Sequence, residues 1–263
     1  MKLSILANDK SKPGYLAEHG LSVYVNLPFA KILFDTGFTR VFLDNARKMG
    51  IDLNIIDYIV LSHGHYDHTG GLLYMPPVKN IDSIIVHKDA LIPKYAMENP
   101  IRYNGIPFDF NEIGWIESKS IFVERLYEIT SGVYVLGNIP HQNKQDKYYV
   151  DGKPDDFHDE MILIVESAKG LNILMGCSHY GVIEGINAVR SHFPGKKILN
   201  VLAGMHLGSK EVSEIKVIAD YLETLELERL IPLHCTGEAA MQFFKQKFKE
   251  KCLLLEAGDE IEL

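Results

Sequence analysis

The chain contains 263 residues, of which 46% are hydrophobic and 24% charged, enough apolar material for one large core in a single domain spanning residues 1–263. A formal net charge of −8 without a cluster of lysine and arginine gives no electrostatic basis for binding nucleic acid. Three cysteines without paired spacing form no disulfide framework, and no apolar run approaches the roughly 18 residues of a membrane span. We therefore expect a cytoplasmic protein without a signal peptide or membrane anchor.

Short apolar runs predict a strand-rich N-terminal part. The predicted elements are strands at residues 2–7, 21–27, 31–35 and 57–61 and a helix at residues 39–49. The excursion between the first two strands carries Glu18 and His19, a pair that in a loop is more often surface than site. Asp35 ends a strand at a Thr-Gly turn, where capping the turn is a sufficient structural role.

The segment from Ser62 to Gly71, here called the metal loop, directly follows the apolar strand at 57–61 and concentrates imidazole and carboxylate groups. Side chains two residues apart on an extended chain point the same way, so His63 and His65 can reach one ion. Asp67 and His68 follow where the chain turns and face a second position. A merely polar loop is the alternative, but so many titratable groups without a cation would compete for protons.

The middle of the chain is less regular. A strand at 84–86 precedes a stretch rich in proline and aromatic residues, which we interpret as a lid or insert around residues 91–120 that lends aromatic surface and Arg102 to a substrate. A structural wrap-around loop is an equally good interpretation. A strand at 132–136 is followed by a polar stretch that contains His141 and His158.

The last hundred residues alternate strands with helices, and three of the strands are followed by a histidine. The predicted elements are strands at 161–166, 171–175, 198–203 and 230–233 and helices at 183–192, 212–225 and 238–248. His179, His206 and His234 come soon after the second, third and fourth of these strands. Two strand-rich stretches with outer helices predict an α+β fold, a four-layer αββα sandwich.

The pattern His63-x-His65-x-Asp67-His68 after an apolar strand resembles the signature of the metallo-β-lactamase superfamily, and the residues from Ile32 to Gly37 resemble its first motif. Further segments resemble one branch, named for 7,8-dihydropterin-6-methyl-4-(β-D-ribofuranosyl)aminobenzene-5'-phosphate synthase. They are Glu18-His19-Gly20-Leu21-Ser22, Gly176-Cys177-Ser178-His179, Gly204-Met205-His206-Leu207 and Pro232-Leu233-His234-Cys235-Thr236-Gly237.

The resemblance implies two adjacent metal sites. Site one would contain His63, His65 and a third histidine. Site two would contain the three residues Asp67, His68 and His234. Nitrogen and carboxylate ligands suit zinc, and also manganese or iron.

Two ligand assignments stay open at this point. Order along the sheet nominates His141 or His158 as the third histidine of site one, whereas the branch resemblance nominates His179, which we adopt. The superfamily places a bridging aspartate where this chain has Cys177. That cysteine is either a bridging thiolate or a small buried residue.

The resemblance also implies roles around the ligands. Asp35 would orient an imidazole by accepting its free N–H, and Glu18 and His19 would lie along the rim of the cleft, as residues that support the ligands or bind substrate. His206 would be a proton donor or a hydrogen-bond partner of the substrate. Asp67 could accept a proton from a metal-bound water.

Such a site favours a metal-dependent hydrolase of a small phosphate- or ester-bearing molecule. The alternative is the pterin-pathway synthase for which the branch is named. A di-iron redox protein is disfavoured because His65 occupies a position that is glutamate in those proteins. A non-catalytic sensor is disfavoured because the ligand positions are retained. The sequence does not indicate the oligomeric state.

Overall fold

Two large β-sheets organise the residues described by this computed structural model, which are 1–77, 81–110, 113–141 and 147–263. The strands are β1 (Lys2–Ala7), β2 (Ser22–Asn26), β3 (Lys31–Phe34), β4 (Tyr58–Val60), β5 (Ser83–Val86), β6 (Lys94–Ala96), β7 (Arg102–Tyr103), β8 (Ser120–Phe122), β9 (Tyr127–Thr130), β10 (Val133–Leu136), β11 (Tyr148–Val150), β12 (Lys153–Pro154), β13 (Ile162–Ser167), β14 (Gly170–Met175), β15 (Ile198–Gly204), β16 (Arg229–Leu233) and β17 (Glu260–Glu262). The helices are α1 (Val41–Lys48), α2 (Tyr66–Thr69), α3 (Gly114–Lys119), α4 (Val182–His192), α5 (Val212–Glu223) and α6 (Glu238–Phe248).

The first sheet has the strand order β17-β1-β2-β3-β4-β5-β8, and the second has the order β16-β15-β14-β13-β10-β9. In the first sheet the neighbouring strands β3, β4, β5 and β8 run parallel, and in the second sheet so do β14, β15 and β16. Parallel neighbours end at the same edge of a sheet, so residues that follow their carboxyl ends are brought together.

Alternating side chains divide each strand between two cores. In β3, Ile32 and Phe34 pack between the sheets while Leu33 faces outward. In β13, Leu163 and Val165 pack between the sheets, and the intervening residues face the other way. The shared core is therefore built from one face of each sheet.

Helices cover the two outer faces. Phe42 of α1 and Ile116 of α3 pack on the first sheet, and Ile186, Ala219 and Phe244 from α4, α5 and α6 pack on the second. The predicted αββα sandwich is confirmed, and the predicted strands and helices outside the middle of the chain are found with slightly different ends.

The middle of the chain differs from the prediction. Strands β6 and β7 lie within the stretch interpreted as irregular, and they join β11 and β12 in a third sheet of order β12-β11-β6-β7. These strands are two or three residues long, too short for periodicity to indicate them. A lid around 91–120 stays a prediction; its residues 111–112 lie outside the described residues, as do 142–146 of the polar stretch.

Within the described ranges, every helix is too short or too polar to cross a membrane.

The shared core provides a test of the layer arrangement. Leu163 is fully buried between the sheets, so Leu163→Ala removes buried methyl groups and leaves a cavity, and we expect the free energy of unfolding to fall by about 2–5 kcal/mol. Val217→Ala, at a side chain 62% exposed on α5, is the control and should change it by less than about 0.5 kcal/mol. Urea denaturation measures both, and equal effects would contradict the arrangement.

Candidate metal centre

The site lies where strands of both large sheets end. The metal loop leaves β4 and enters α2, while His179, His206 and His234 follow the adjacent parallel strands β14, β15 and β16. This parallel pairing brings three histidines that are far apart in sequence to one edge.

Several backbone positions at this edge are strained. Asp35, Ser178, His206 and His234 adopt φ values of 57°, 51°, 50° and 48°, the left-handed region that non-glycine residues rarely occupy. Such strain persists only where surrounding contacts enforce it, and it is concentrated at functional sites.

The first ligand set consists of His63, His65 and His179, whose candidate ligand atoms lie within 4.8 Å of one another. Burial, followed by the neighbouring His68 and His65, holds the pKa of His63 well below its usual range. Burial likewise lowers the pKa of His65 to about 3 and that of His179 well below its usual value. These imidazoles are neutral at physiological pH, the form that binds metal.

The hydrogen bonds of this set match a metal site. Ser62 Oγ donates to Asp35 and therefore accepts from His63 Nδ1, 2.9 Å away, which puts the lone pair of His63 on Nε2. That Nε2 accepts a hydrogen bond from His65 Nδ1 at 2.9 Å, a contact that a bound ion would replace. His65 Nε2 is buried and has no hydrogen-bond partner among the described residues. Three neutral imidazoles packed in this way fit a zinc-type ion.

The second ligand set consists of Asp67, His68 and His234, whose candidate ligand atoms also lie within 4.8 Å. Burial alone would raise the pKa of Asp67, but His68 and His234 lower it below its usual value. Burial lowers the pKa of His234, yet hydrogen bonds to Asp67 and Asp9 raise it overall. The pocket therefore stabilises positive charge beside Asp67, which fits a divalent cation.

Cys177 lies between the two sets. Its Sγ is 3.1 Å from His68 Nε2, and it forms a group of potential ligands with His63 and His68 and another with His234 and Cys235. Cys235 lay inside a quoted motif, but sequence reasoning did not assign it to the site. Burial raises the pKa of Cys177, and a hydrogen bond to Cys235 contributes to the same direction.

Asp35 holds two of the candidate ligands in place through hydrogen bonds. Its carboxylate accepts from Ser62 N, Ser62 Oγ and His68 Nδ1, each at 2.7 Å. It therefore orients the ring of His68 and, through Ser62, that of His63.

Glu18 and His19, the two residues predicted to lie along the rim of the cleft, contact different groups. Glu18 accepts from Phe38 N, Thr39 N and Thr39 Oγ1 at 2.6–3.1 Å, so it anchors the turn after β3. His19 contacts both Asp9 and Asp67, with its Nε2 3.3 Å from Asp67 Oδ2.

The other nominated histidines lie elsewhere. In the described part of the chain, neither His141 nor His158 belongs to a group of potential ligands, and His141 Nε2 donates to Asp156 O. The ring of His206 lies tilted against that of His179, with ring centroids 4.4 Å apart, and its Nε2 is 3.5 Å from Tyr148 Oη. The geometry therefore groups His179, rather than His141 or His158, with His63 and His65.

Sequence reasoning missed the residues that connect the third sheet to the metal loop. Lys94 of β6 is buried and donates to Asp155 and Asp159 at 3.2 and 3.0 Å. Asp159 in turn accepts from Gly64 N at 2.7 Å. Burial alone would raise the pKa of Asp159, but Lys94 and this N–H lower it, so an ionised carboxylate holds the backbone between His63 and His65.

Asp9 was also missed, and it accepts from His234 Nδ1 at 2.7 Å. It follows β1, which runs in the same direction as β3 because both are antiparallel to β2. The feature that could have identified Asp9 is a carboxylate that follows a strand parallel to β3. Tyr103 packs against Tyr95 within the third sheet, and Trp115 packs against the outer core of the first sheet.

Fold and site together define an αββα protein with two adjoining histidine-rich ligand sets. A family model described as the metallo-beta-lactamase superfamily matches residues 18–145. The uncharacterised protein MJ0448 of Methanocaldococcus jannaschii is 33% identical over 251 residues, covering 93% of this chain and 94% of the relative. The chain belongs to the metallo-β-lactamase superfamily, as the motif resemblance predicted.

Two further relatives cover nearly the whole chain. The 7,8-dihydropterin-6-methyl-4-(beta-D-ribofuranosyl)-aminobenzene-5'-phosphate synthase of Methanocaldococcus jannaschii is 28% identical, with 98% of this chain and 95% of the relative covered. The solved structure of Tm1679, described as a metal-dependent hydrolase of the beta-lactamase superfamily, is 36% identical, with a TM-score of 0.87 over 100% of this chain and 99% of that one.

Gly64 tests how tightly the metal loop is packed. A Cβ at Gly64 would lie 2.1 Å from Ala90 O, so Gly64→Ala must displace backbone, and we expect a loss of about 1–3 kcal/mol in stability together with weaker metal binding. Gly114→Ala is the matched control, because no atom lies within 4 Å of its added Cβ. Urea denaturation and elemental analysis measure both effects, and wild-type behaviour of Gly64→Ala would refute the close approach.

Proposed function

We propose that the protein is a dinuclear-metal-dependent hydrolase acting on a small phosphate- or ester-bearing molecule. The observation that carries this proposal is the pair of adjoining groups of potential ligands, His63/His65/His179 and Asp67/His68/His234, with Cys177 adjoining both. Zinc is the ion that these ligands favour, and manganese or iron would also fit. When bound, such a pair of ions lowers the pKa of a shared water and supplies a nucleophile at neutral pH.

The chain's own residues would then manage protons and substrate. Asp67 is ionised and buried beside both sets, so it can accept a proton from the attacking water. Burial lowers the pKa of His206 and raises that of Tyr148, so the neutral imidazole and the protonated phenol form a hydrogen-bonding pair beside His179. This pair would position the substrate or protonate its leaving group.

Cations near the cleft support an anionic substrate. Lys147 Nζ lies 5.1 Å from the ring centre of Tyr148, and Arg102 Cζ lies 5.4 Å from that of Tyr66, the residue between His65 and Asp67. Phosphate and carboxylate groups are bound by such residues.

A second candidate function is pterin-pathway synthesis. It is supported by the 28% identical synthase, which aligns with 98% of this chain. In this alternative the same metal centre would support substitution at a pterin methyl carbon, in which the aminobenzene partner forms the new bond and a leaving group carried on that carbon departs.

A substrate panel distinguishes the two candidates. Protein purified without added metal should contain close to two transition-metal ions per chain and should hydrolyse at least one member of a panel of phosphomonoesters, phosphodiesters, lactones and β-lactams. Removing the metal with a chelator should abolish that activity, and adding Zn²⁺ should restore it. If the metal-loaded protein leaves the panel intact but consumes a reduced pterin with a ribofuranosylaminobenzene phosphate, the synthase is correct. A folded chain that binds no metal refutes both.

Cys177 is proposed as a bridging ligand, because metal coordination deprotonates a thiol that burial alone keeps protonated. Cys177→Ser should lower metal occupancy below two ions per chain and remove the thiolate charge-transfer band of the Co²⁺-substituted protein. Cys252→Ala, at a buried cysteine in the outer core of the second sheet, is the control that should keep both. An unchanged band in Cys177→Ser would assign this residue to packing alone.

A further inference from the structure

One exposed carboxylate holds two histidines of the site. Asp9 Oδ1 accepts from His234 Nδ1 at 2.7 Å, and Asp9 Oδ2 lies 3.2 Å from His19 Nδ1. The rings of His19 and His234 lie side by side, with centroids 4.8 Å apart. The two oxygens of the Asp9 carboxylate therefore each hold one imidazole, and in both imidazoles the contact is made by Nδ1.

The opposite ring nitrogens of both histidines approach one atom. His19 Nε2 and His234 Nε2 each lie 3.3 Å from Asp67 Oδ2, and His68 Nε2 lies 3.8 Å from it. A tetrahedral ion with ligand distances of about 2.1 Å separates its ligand atoms by about 3.4 Å. The three separations from Asp67 Oδ2 are therefore close to the spacing expected between ligand atoms of one ion.

His19 also shares the supporting pattern of the other two histidines. His68 Nδ1 contacts Asp35, His234 Nδ1 contacts Asp9, and His19 Nδ1 contacts Asp9 as well. A carboxylate on the far nitrogen is the usual partner of a metal-binding imidazole, because it fixes the ring and makes its other nitrogen more basic.

His19 is 57% exposed, but its neighbours are fixed. Glu18 accepts three hydrogen bonds from Phe38 and Thr39, and a Cβ at Gly20 would lie 2.6 Å from Asp67 O. Backbone on both sides of His19 is thus held against the turn after β3 and the metal loop. Such anchoring distinguishes His19 from a surface histidine that merely meets a carboxylate.

We propose that His19 is a further protein ligand of site two, in addition to Asp67, His68 and His234, and that Asp9 positions both His19 and His234. The inference rests on the proposed metal centre, although it does not depend on which reaction that centre performs. His19 would then occupy the solvent-facing side of site two, as a ligand contributed by the loop between β1 and β2.

Cobalt binding tests the assignment without an activity assay. Metal-free wild-type protein and the variants His19→Ala, His19→Gln and Asp9→Asn are titrated with Co²⁺ against a competing chelator, and the visible d–d absorption is followed. We expect both His19 variants to weaken binding of one of the two ions by on the order of 10- to 100-fold and to change its spectrum. Asp9→Asn should weaken the same ion while retaining the ligand spectrum.

The variants separate a ligand from a hydrogen-bonding residue. Glutamine at position 19 can still hydrogen-bond to Asp9 and Asp67 but is a poor ligand for Co²⁺, so wild-type affinity and spectrum in His19→Gln would overturn the proposal. His234→Ala is the reference for loss at site two, and His192→Ala, at a histidine exposed on α4, is the control that should bind as wild type does. Equal thermal unfolding of the metal-free variants and wild type excludes misfolding.

The outcomes distinguish this inference from the proposed function. If wild-type protein binds two Co²⁺ ions but hydrolyses nothing, the hydrolase proposal is contradicted. The Co²⁺ titrations of the His19 variants still decide whether His19 is a ligand. Wild-type protein that binds no Co²⁺ overturns both.

Discussion

The buried carboxylate of Asp67 is the group around which the site is arranged. The Nε2 atoms of His19, His68 and His234 lie within 3.3–3.8 Å of its Oδ2 atom, and His63 and His65 precede it on the same loop. An ionised carboxylate in a protein interior is costly unless a cation or several donors face it. A divalent cation would satisfy this requirement and would use the lone pairs of the neighbouring imidazoles at the same time.

Three further carboxylates connect the surrounding strands to the residues of the site. Asp35 follows β3 and holds His68, Asp9 follows β1 and holds His234, and Asp159 precedes β13 and holds the backbone of Gly64. Each belongs to a different part of the sandwich, so the positions of the ligand atoms depend on both large sheets. Such supporting partners decide metal affinity nearly as strongly as the ligands themselves.

The third sheet gives the site its outer wall. Lys94 ties β6 to Asp159, and Tyr148 of β11 contacts His206 and packs near His65. Phe157 stacks on His179 with ring centroids 4.3 Å apart. A small sheet that could not form a core by itself is thus held by the two buried ion pairs of Lys94 and by aromatic contacts to the candidate ligands, and it places Arg102 beside the cleft.

The sequence by itself determined the metal loop and the layers. The spacing of His63, His65, Asp67 and His68 encodes ligand directions within one short segment, and apolar periodicity identified most strands and helices because it reflects each element's own buried face. The motif resemblance nominated His179, and the tertiary structure groups it with His63 and His65. Only the tertiary structure brought in Asp9, Cys235 and Lys94. These residues meet the metal loop through strand pairing across more than fifty residues of chain or through a sheet of very short strands. No local pattern records such pairing, because its energy lies in contacts between segments rather than within them.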